Sequence, residues 1–159
     1  MSKINSIKKL YLFILFICIS SIISAVYIEH VLKVHPCTLC LYQRVPYLVS
    51  IFVCFFGYNY SNNLFWMYSL ILVFILSSLL SGYHVGIENN IFKEFSGCTG
   101  GNLNITNKSE LLKSLSNSIP NCKEVNFRMF GLSLATINLM ISTVISLISI
   151  KLLTNEKNR

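Results

Sequence analysis

Charge is what this sequence has least of: 12% of its 159 residues are Asp, Glu, Lys or Arg, and only six are acidic. A soluble domain typically carries about a quarter charged residues, so a surface wetted all round is excluded. The formal charge of +7 does not point to nucleic acid. The basic residues form no stripe with interleaved aromatics, and several gather at the two ends. No internal repeat or low-complexity tract appears, and nothing marks a second domain. The length suits one domain spanning residues 1–159. What fills the sequence instead is apolar side chains, 53% of the residues, with a mean hydropathy of +0.62.

These apolar residues fall into four runs, at about 10–28, 45–58, 64–83 and 130–152. A spanning helix needs about 20 apolar residues, within a range of ~17 to 25. The second run is short and borrows its ends from the interface. The first is preceded by Lys3, Lys8 and Lys9, as in a signal peptide. It is long for such a segment, however, and no small-x-small cleavage site follows. The expected fold is therefore an all-α membrane protein, a bundle of four transmembrane helices. Lys3, Lys8 and Lys9 before the first run, and Lys151, Lys157 and Arg159 at the end of the last, put both termini on the cytoplasmic side. Two loops, about 29–44 and 84–129, then face outward. Tyr27, Tyr42, Tyr47, Tyr58, Tyr60, Trp66 and Tyr83 fall near span ends, where amphipathic rings anchor. Within the long loop, apolar residues at helical spacing (Leu111, Leu112, Leu115, Ile119) follow Ser109 and Glu110. They predict a short amphipathic helix on the membrane surface.

The six cysteines divide along the same lines. Cys18 and Cys54 lie inside apolar runs and read as small buried hydrophobes. Cys37, Cys40, Cys98 and Cys122 all lie in the outward loops, where disulfides persist. Cys37-Thr38-Leu39-Cys40 is a C-x-x-C motif just ahead of a span. The unpaired N–H groups of a helix start favour a thiolate. Arg44, four residues beyond Cys40, would lower the thiol pKa further and polarise an oxygen of a bound acceptor. Pro46 fits the first turn of that span. Zinc would need two more thiolates or histidines at compatible spacing, yet Cys98 and Cys122 form no second tight knuckle. Haem attachment needs a histidine where Leu41 stands. A static staple of so small a ring would constrain little loop entropy. Cys98 sits in a glycine-rich stretch, Ser96-Gly97-Cys98-Thr99-Gly100-Gly101, able to extend into a partner's groove. Thiolate attack through mixed disulfides makes an electron relay the chemistry that suits these cysteines.

Several segments together resemble the disulfide bond formation protein B (DsbB) family of bacterial inner membranes. They are Pro36-Cys37-Thr38-Leu39-Cys40-Leu41-Tyr42-Gln43-Arg44, Gly82-Tyr83-His84-Val85-Gly86-Ile87-Glu88, Cys122-Lys123-Glu124-Val125 and Phe130-Gly131-Leu132-Ser133-Leu134-Ala135. Phe127 stands where many members have tryptophan, and Asn121 where proline is common. The resemblance implies redox-active disulfides Cys37–Cys40 and Cys98–Cys122, in loops facing the periplasm. It implies that a DsbA-like thioredoxin-fold protein gives electrons to Cys98–Cys122, with Cys98 forming the mixed disulfide. Cys122 then exchanges with Cys37, and Cys40 faces a membrane quinone, ubiquinone or menaquinone, assisted by Arg44. A DsbA-type dithiol has a potential of about −120 mV, which makes glutathione a poor oxidant for it. A lipid-dissolved quinone is a suitable one.

His84 and Glu88, four residues apart, share a helix face if the third span reaches them. Ionisable groups at a span end suit hydrogen bonding or proton delivery to quinone, or packing between helices. Two other readings compete. A vitamin K epoxide reductase-like enzyme keeps the chemistry, but its loop cysteines precede the C-x-x-C. A non-catalytic four-span protein with static loop disulfides abandons it.

Overall fold

The computed structural model describes residues 2–61, 63–93, 122–123, 127–129 and 131–157. Cys98, and the amphipathic helix expected over 109–119, lie outside the described residues. Four long helices carry the fold: α1 (Ser2–His30), α2 (Thr38–Asn59), α3 (Leu64–Glu88) and α4 (Leu134–Lys157). A minimal hairpin, β1 (Arg128–Met129) and β2 (Leu132–Ser133), precedes α4. Each helix is long and apolar enough to cross a membrane. The shortest spanning segments, of 22 residues, extend about 33 Å, against a hydrocarbon core of ~30 Å. Phe13, Phe16, Phe52 and Leu79 are each more than half exposed. A lipid solvent is the surrounding that such a surface requires. The protein is a four-helix membrane bundle.

The helices reach beyond the apolar runs, and for an identifiable reason. The expected second span starts at Val45, but α2 starts at Thr38. Cys37 caps it, its sulfur accepting from the Cys40 backbone N–H at 3.2 Å. Gln43 and Arg44 are tolerated in its opening turns because each finds a polar partner, His84 and Glu29 respectively. Pro46 therefore lies inside α2 and not in its first turn, leaving the Tyr42 carbonyl without its helical N–H donor. Likewise α3 runs past Tyr83 to Glu88, carrying His84 and Glu88 one turn apart. Gly86 is needed there. The chain folds back after α3, and a Cβ on Gly86 would stand 2.2 Å from the Phe92 ring, which stacks on Tyr83.

Helix α1 packs on α2, α2 on α3, and α3 on α4. Tyr11, Ile14, Cys18, Cys54, Met67, Leu70 and Phe74 fill the core between them. Cys18 and Cys54 are buried free thiols. Tyr47, expected as an interfacial anchor, is buried instead. It meets Phe74 edge-on, and its hydroxyl donates to Asn138 Oδ1. Along the α3–α4 seam small polar side chains pair: Ser77 with Ser142, Ser78 with Thr143, and Asn138 Nδ2 donating to Ser81 Oγ at 2.7 Å. In lipid no hydrophobic force draws helices together, so small residues and interhelical hydrogen bonds carry the seam.

Candidate active site

At the end of the bundle where α1 and α3 finish and α2 and α4 begin, Cys37 and Cys40 sit in one helical turn. Both are free thiols, with sulfurs 2.7 Å apart, so little movement separates them from the ~2.05 Å of a disulfide. Cys37 is nearly buried, while Cys40 is partly open. The Cys37 thiol is held well below its ordinary range. The hydrogen bond with the Cys40 sulfur is the largest cause; burial opposes it, and His84 and the Cys40 backbone N–H add to it. A capped helix start supplies that N–H, as the sequence implied. In the reduced protein, Cys37 alkylation by iodoacetamide should therefore titrate below the ordinary thiol range, its rate falling only as pH drops through that lowered midpoint. Cys40→Ala, which removes the largest cause, moves the midpoint upward. A wild-type midpoint near the ordinary thiol value would contradict this geometry.

His84 lies at the centre of a polar chain that local sequence does not disclose. Its Nε2 is 3.7 Å from Cys37 Sγ, and Gln43 Nε2 donates to its Nδ1 at 3.0 Å. Glu88 Oε1 approaches Nε2 at 3.9 Å. Glu88 Oε2 accepts from Ser133 Oγ at 2.6 Å, and Ser133 Oγ also accepts from the Thr136 N–H, capping α4. The hairpin makes this possible. Gly131, at a φ of +81° in its turn, lets the strands reverse and delivers Ser133 onto Glu88. Arg44 borders the same region and has an acidic partner. Its Nη1 pairs with Glu29 Oε2 at 2.6 Å, tying α2 to the end of α1, and the side-chain partners at the Cys37 sulfur are Cys40 and His84.

Cys122 is buried against Cys37, Leu39 and Ile87. It is disulfide-bonded, its partner sulfur lying outside the described residues. Its backbone approaches the His84 ring. Next to the cysteines a cavity of about 360 Å³ opens between α1 and α4, within the size range of small-molecule sites. Ile22, Ala25, Ile28, Ala135 and Ile141 give it apolar walls. Cys40, Gln43, Arg44, His84 and Glu88 supply polar groups at its cysteine end. The residues singled out from the sequence, Cys37, Cys40, Arg44, His84 and Glu88, thus all border one cavity. Cys122 lies beside it.

Sequence reasoning missed Gln43, Glu29, Ser133 and Asn138. Gln43 and Ser133 stood inside the family-like motifs, and Glu29 was an acid at a span end. A polar residue in an apolar stretch was the available signal for Asn138. Cys37, Cys40 and His84 bring three possible metal ligands within 4.8 Å of one another. Two thiolates on tetrahedral zinc, each ~2.3 Å from the ion, stand ~3.8 Å apart. The 2.7 Å between these sulfurs suits disulfide closure instead.

Four membrane-crossing helices, holding a C-x-x-C dithiol at a helix start against a third, disulfide-bonded cysteine, define a membrane protein of disulfide bond formation. Comparison with known families gives the same result. The family model for disulfide bond formation protein DsbB matches residues 7–152, and the chain belongs to that family. It is also similar to the uncharacterized protein RP370 of Rickettsia prowazekii (strain Madrid E). The two are 29% identical over 150 residues, covering 87% of this chain and 86% of that protein.

Proposed function

We propose that this protein reoxidises a DsbA-like dithiol protein of the periplasm and passes the electrons to a quinone in the bacterial inner membrane. The observation that carries this reading is the position of Cys40, partly open on the wall of an apolar cavity between α1 and α4. Both termini are cytoplasmic and the cysteine loops periplasmic. The cavity fits a quinone head group. Its walls are apolar, its polar groups converge at one end, and its loosely packed α1–α4 side gives access from lipid. Bound there, quinone supplies a two-electron, two-proton acceptor.

The chain's own residues do the rest. Cys98 forms the mixed disulfide with the partner, and the partner's second thiol releases it, leaving Cys98 and Cys122 reduced. Cys122 attacks Cys37 of the Cys37–Cys40 disulfide, and the electron pair leaves on Cys40, beside the acceptor. Arg44, held by Glu29, orients the head group through an oxygen. Glu88, held by Ser133, is the carboxylate in the cavity lining available for proton transfer.

Thiol trapping in native membranes separates this reading from static loop disulfides. Removing quinone should convert Cys37, Cys40, Cys98 and Cys122 to alkylatable thiols, and restoring it should reoxidise them. Cysteines whose redox state ignores quinone would sink the proposal. The vitamin K epoxide reductase-like reading finds no support in the chain order, since Cys37 and Cys40 precede the other two.

A further inference from the structure

The relay proposed above moves electrons between two cysteine pairs, and one buried side chain touches both. We propose that His84 serves the sulfur exchange between Cys37 and Cys122. Its imidazole holds the two segments in register and gives a hydrogen bond to the Cys37 sulfur whenever that sulfur carries the negative charge.

The geometry behind this is specific. His84 is 2% exposed, and both ring nitrogens are engaged inside the protein. Gln43, from α2, donates to Nδ1, so the ring proton of neutral His84 resides on Nε2. That nitrogen faces Cys37 Sγ at 3.7 Å and Glu88 Oε1 at 3.9 Å. The Cys122 backbone also approaches the ring, and Cys122 packs in the same apolar cluster as Cys37. One imidazole thus links α2, α3 and the segment that enters the hairpin. Ser133 fixes the far oxygen of Glu88, which keeps the carboxylate from swinging away. Although His84 borders the cavity, its nitrogens are directed at Gln43, Cys37 and Glu88.

The chemistry needs such a group at one particular step. After the relay has joined Cys37 to Cys122, the Cys98 thiolate attacks the Cys122 sulfur. The Cys98–Cys122 bond forms, the Cys37–Cys122 bond breaks, and its electron pair departs on Cys37. One thiolate is consumed and one produced, so no outside oxidant or proton is required. Exchange is faster when the leaving thiolate is stabilised, and a hydrogen bond to a charged acceptor is roughly twice as strong as a neutral one. The N–H of His84 meets the sulfur that leaves.

This inference rests on the proposed relay, and the test separates the two. Full-length protein in lipid nanodiscs, with both pairs oxidised and no quinone, is mixed with excess reduced thioredoxin-fold dithiol partner. It is then acid-quenched and its alkylated thiols are located by mass spectrometry. In the wild type, thiols appear first at Cys98 and Cys122 and then at Cys37 and Cys40; absence of the second phase would overturn the relay itself. His84→Ala should slow the second phase on the order of tenfold or more, the effect of losing a hydrogen bond to a charged group. The first phase should stay within about twofold of wild type. His84→Gln, which retains an N–H donor, should recover part of the second-phase rate. An unchanged second phase with a raised quinone KM would overturn the inference and move His84 to the acceptor. Equal slowing of both phases in both variants would also overturn it, leaving only a structural role.

Discussion

Under the proposed function, Cys40→Ser should abolish quinol formation from a reduced dithiol partner, on the order of 10³-fold or more, because a hydroxyl cannot close a disulfide or form an anion near neutral pH. The effect is expected to be this large because Cys40 is the more open of the two thiols at the proposed exit step. It sits 2.7 Å from Cys37 and it borders the cavity. Cys37 is nearly buried, and Cys122 packs behind it. Cys18→Ala and Cys54→Ala, whose sulfurs lie in the helical core, should retain most of the activity. Quinone absorbance in detergent or nanodiscs, with each variant's folding checked by helical circular dichroism, is the measurement. A Cys40→Ser protein with wild-type turnover would remove the sulfur from the exit step.

Ala25→Phe should raise the KM for quinone about tenfold, equivalent to ~1.4 kcal/mol of binding, while leaving the proposed first oxidation of the partner unaffected. Ala25 lies on the α1 wall of the cavity and is only partly buried. A larger side chain there takes ligand space without overfilling the core around Tyr11, Cys18 and Cys54. The expected signature is a KM effect with kcat retained at saturating quinone, the mark of lost uniform binding. An unchanged KM would place the acceptor outside the α1–α4 cavity.

Much of this architecture is legible in the amino-acid sequence alone. Four apolar runs announce four spanning helices, because lipid tolerates little else. The C-x-x-C at a helix start announces a pair of activated thiols. Hydropathy misplaces the helix ends, however. It scores Gln43, Arg44, His84 and Glu88 as polar and cannot see that each is satisfied by a partner from another helix or from the hairpin. Arg44 illustrates the limit well. Its spacing from Cys40 suggests a cation at the sulfur, yet Glu29, fifteen residues upstream, holds its guanidinium. Tyr47 illustrates another. Aromatic position along a span suggests an anchor, but a tyrosine facing Asn138 is a buried hydrogen-bond donor. His84 is visible as an ionisable residue at a span end. Its contact with Cys37, 47 residues away, appears only when α2 and α3 are packed.

The central claim is that electrons taken from a dithiol protein leave through Cys40 to quinone. The most direct test counts both products at once. Oxidised protein in nanodiscs is mixed anaerobically with a limiting amount of reduced thioredoxin-fold partner and excess short-chain ubiquinone. Partner disulfide is then quantified by mass spectrometry and quinol by absorbance. The account predicts one quinol for every partner disulfide formed, and neither product with Cys40→Ser beyond a single turnover. Continued partner oxidation without quinol, or with Cys40→Ser, would contradict it.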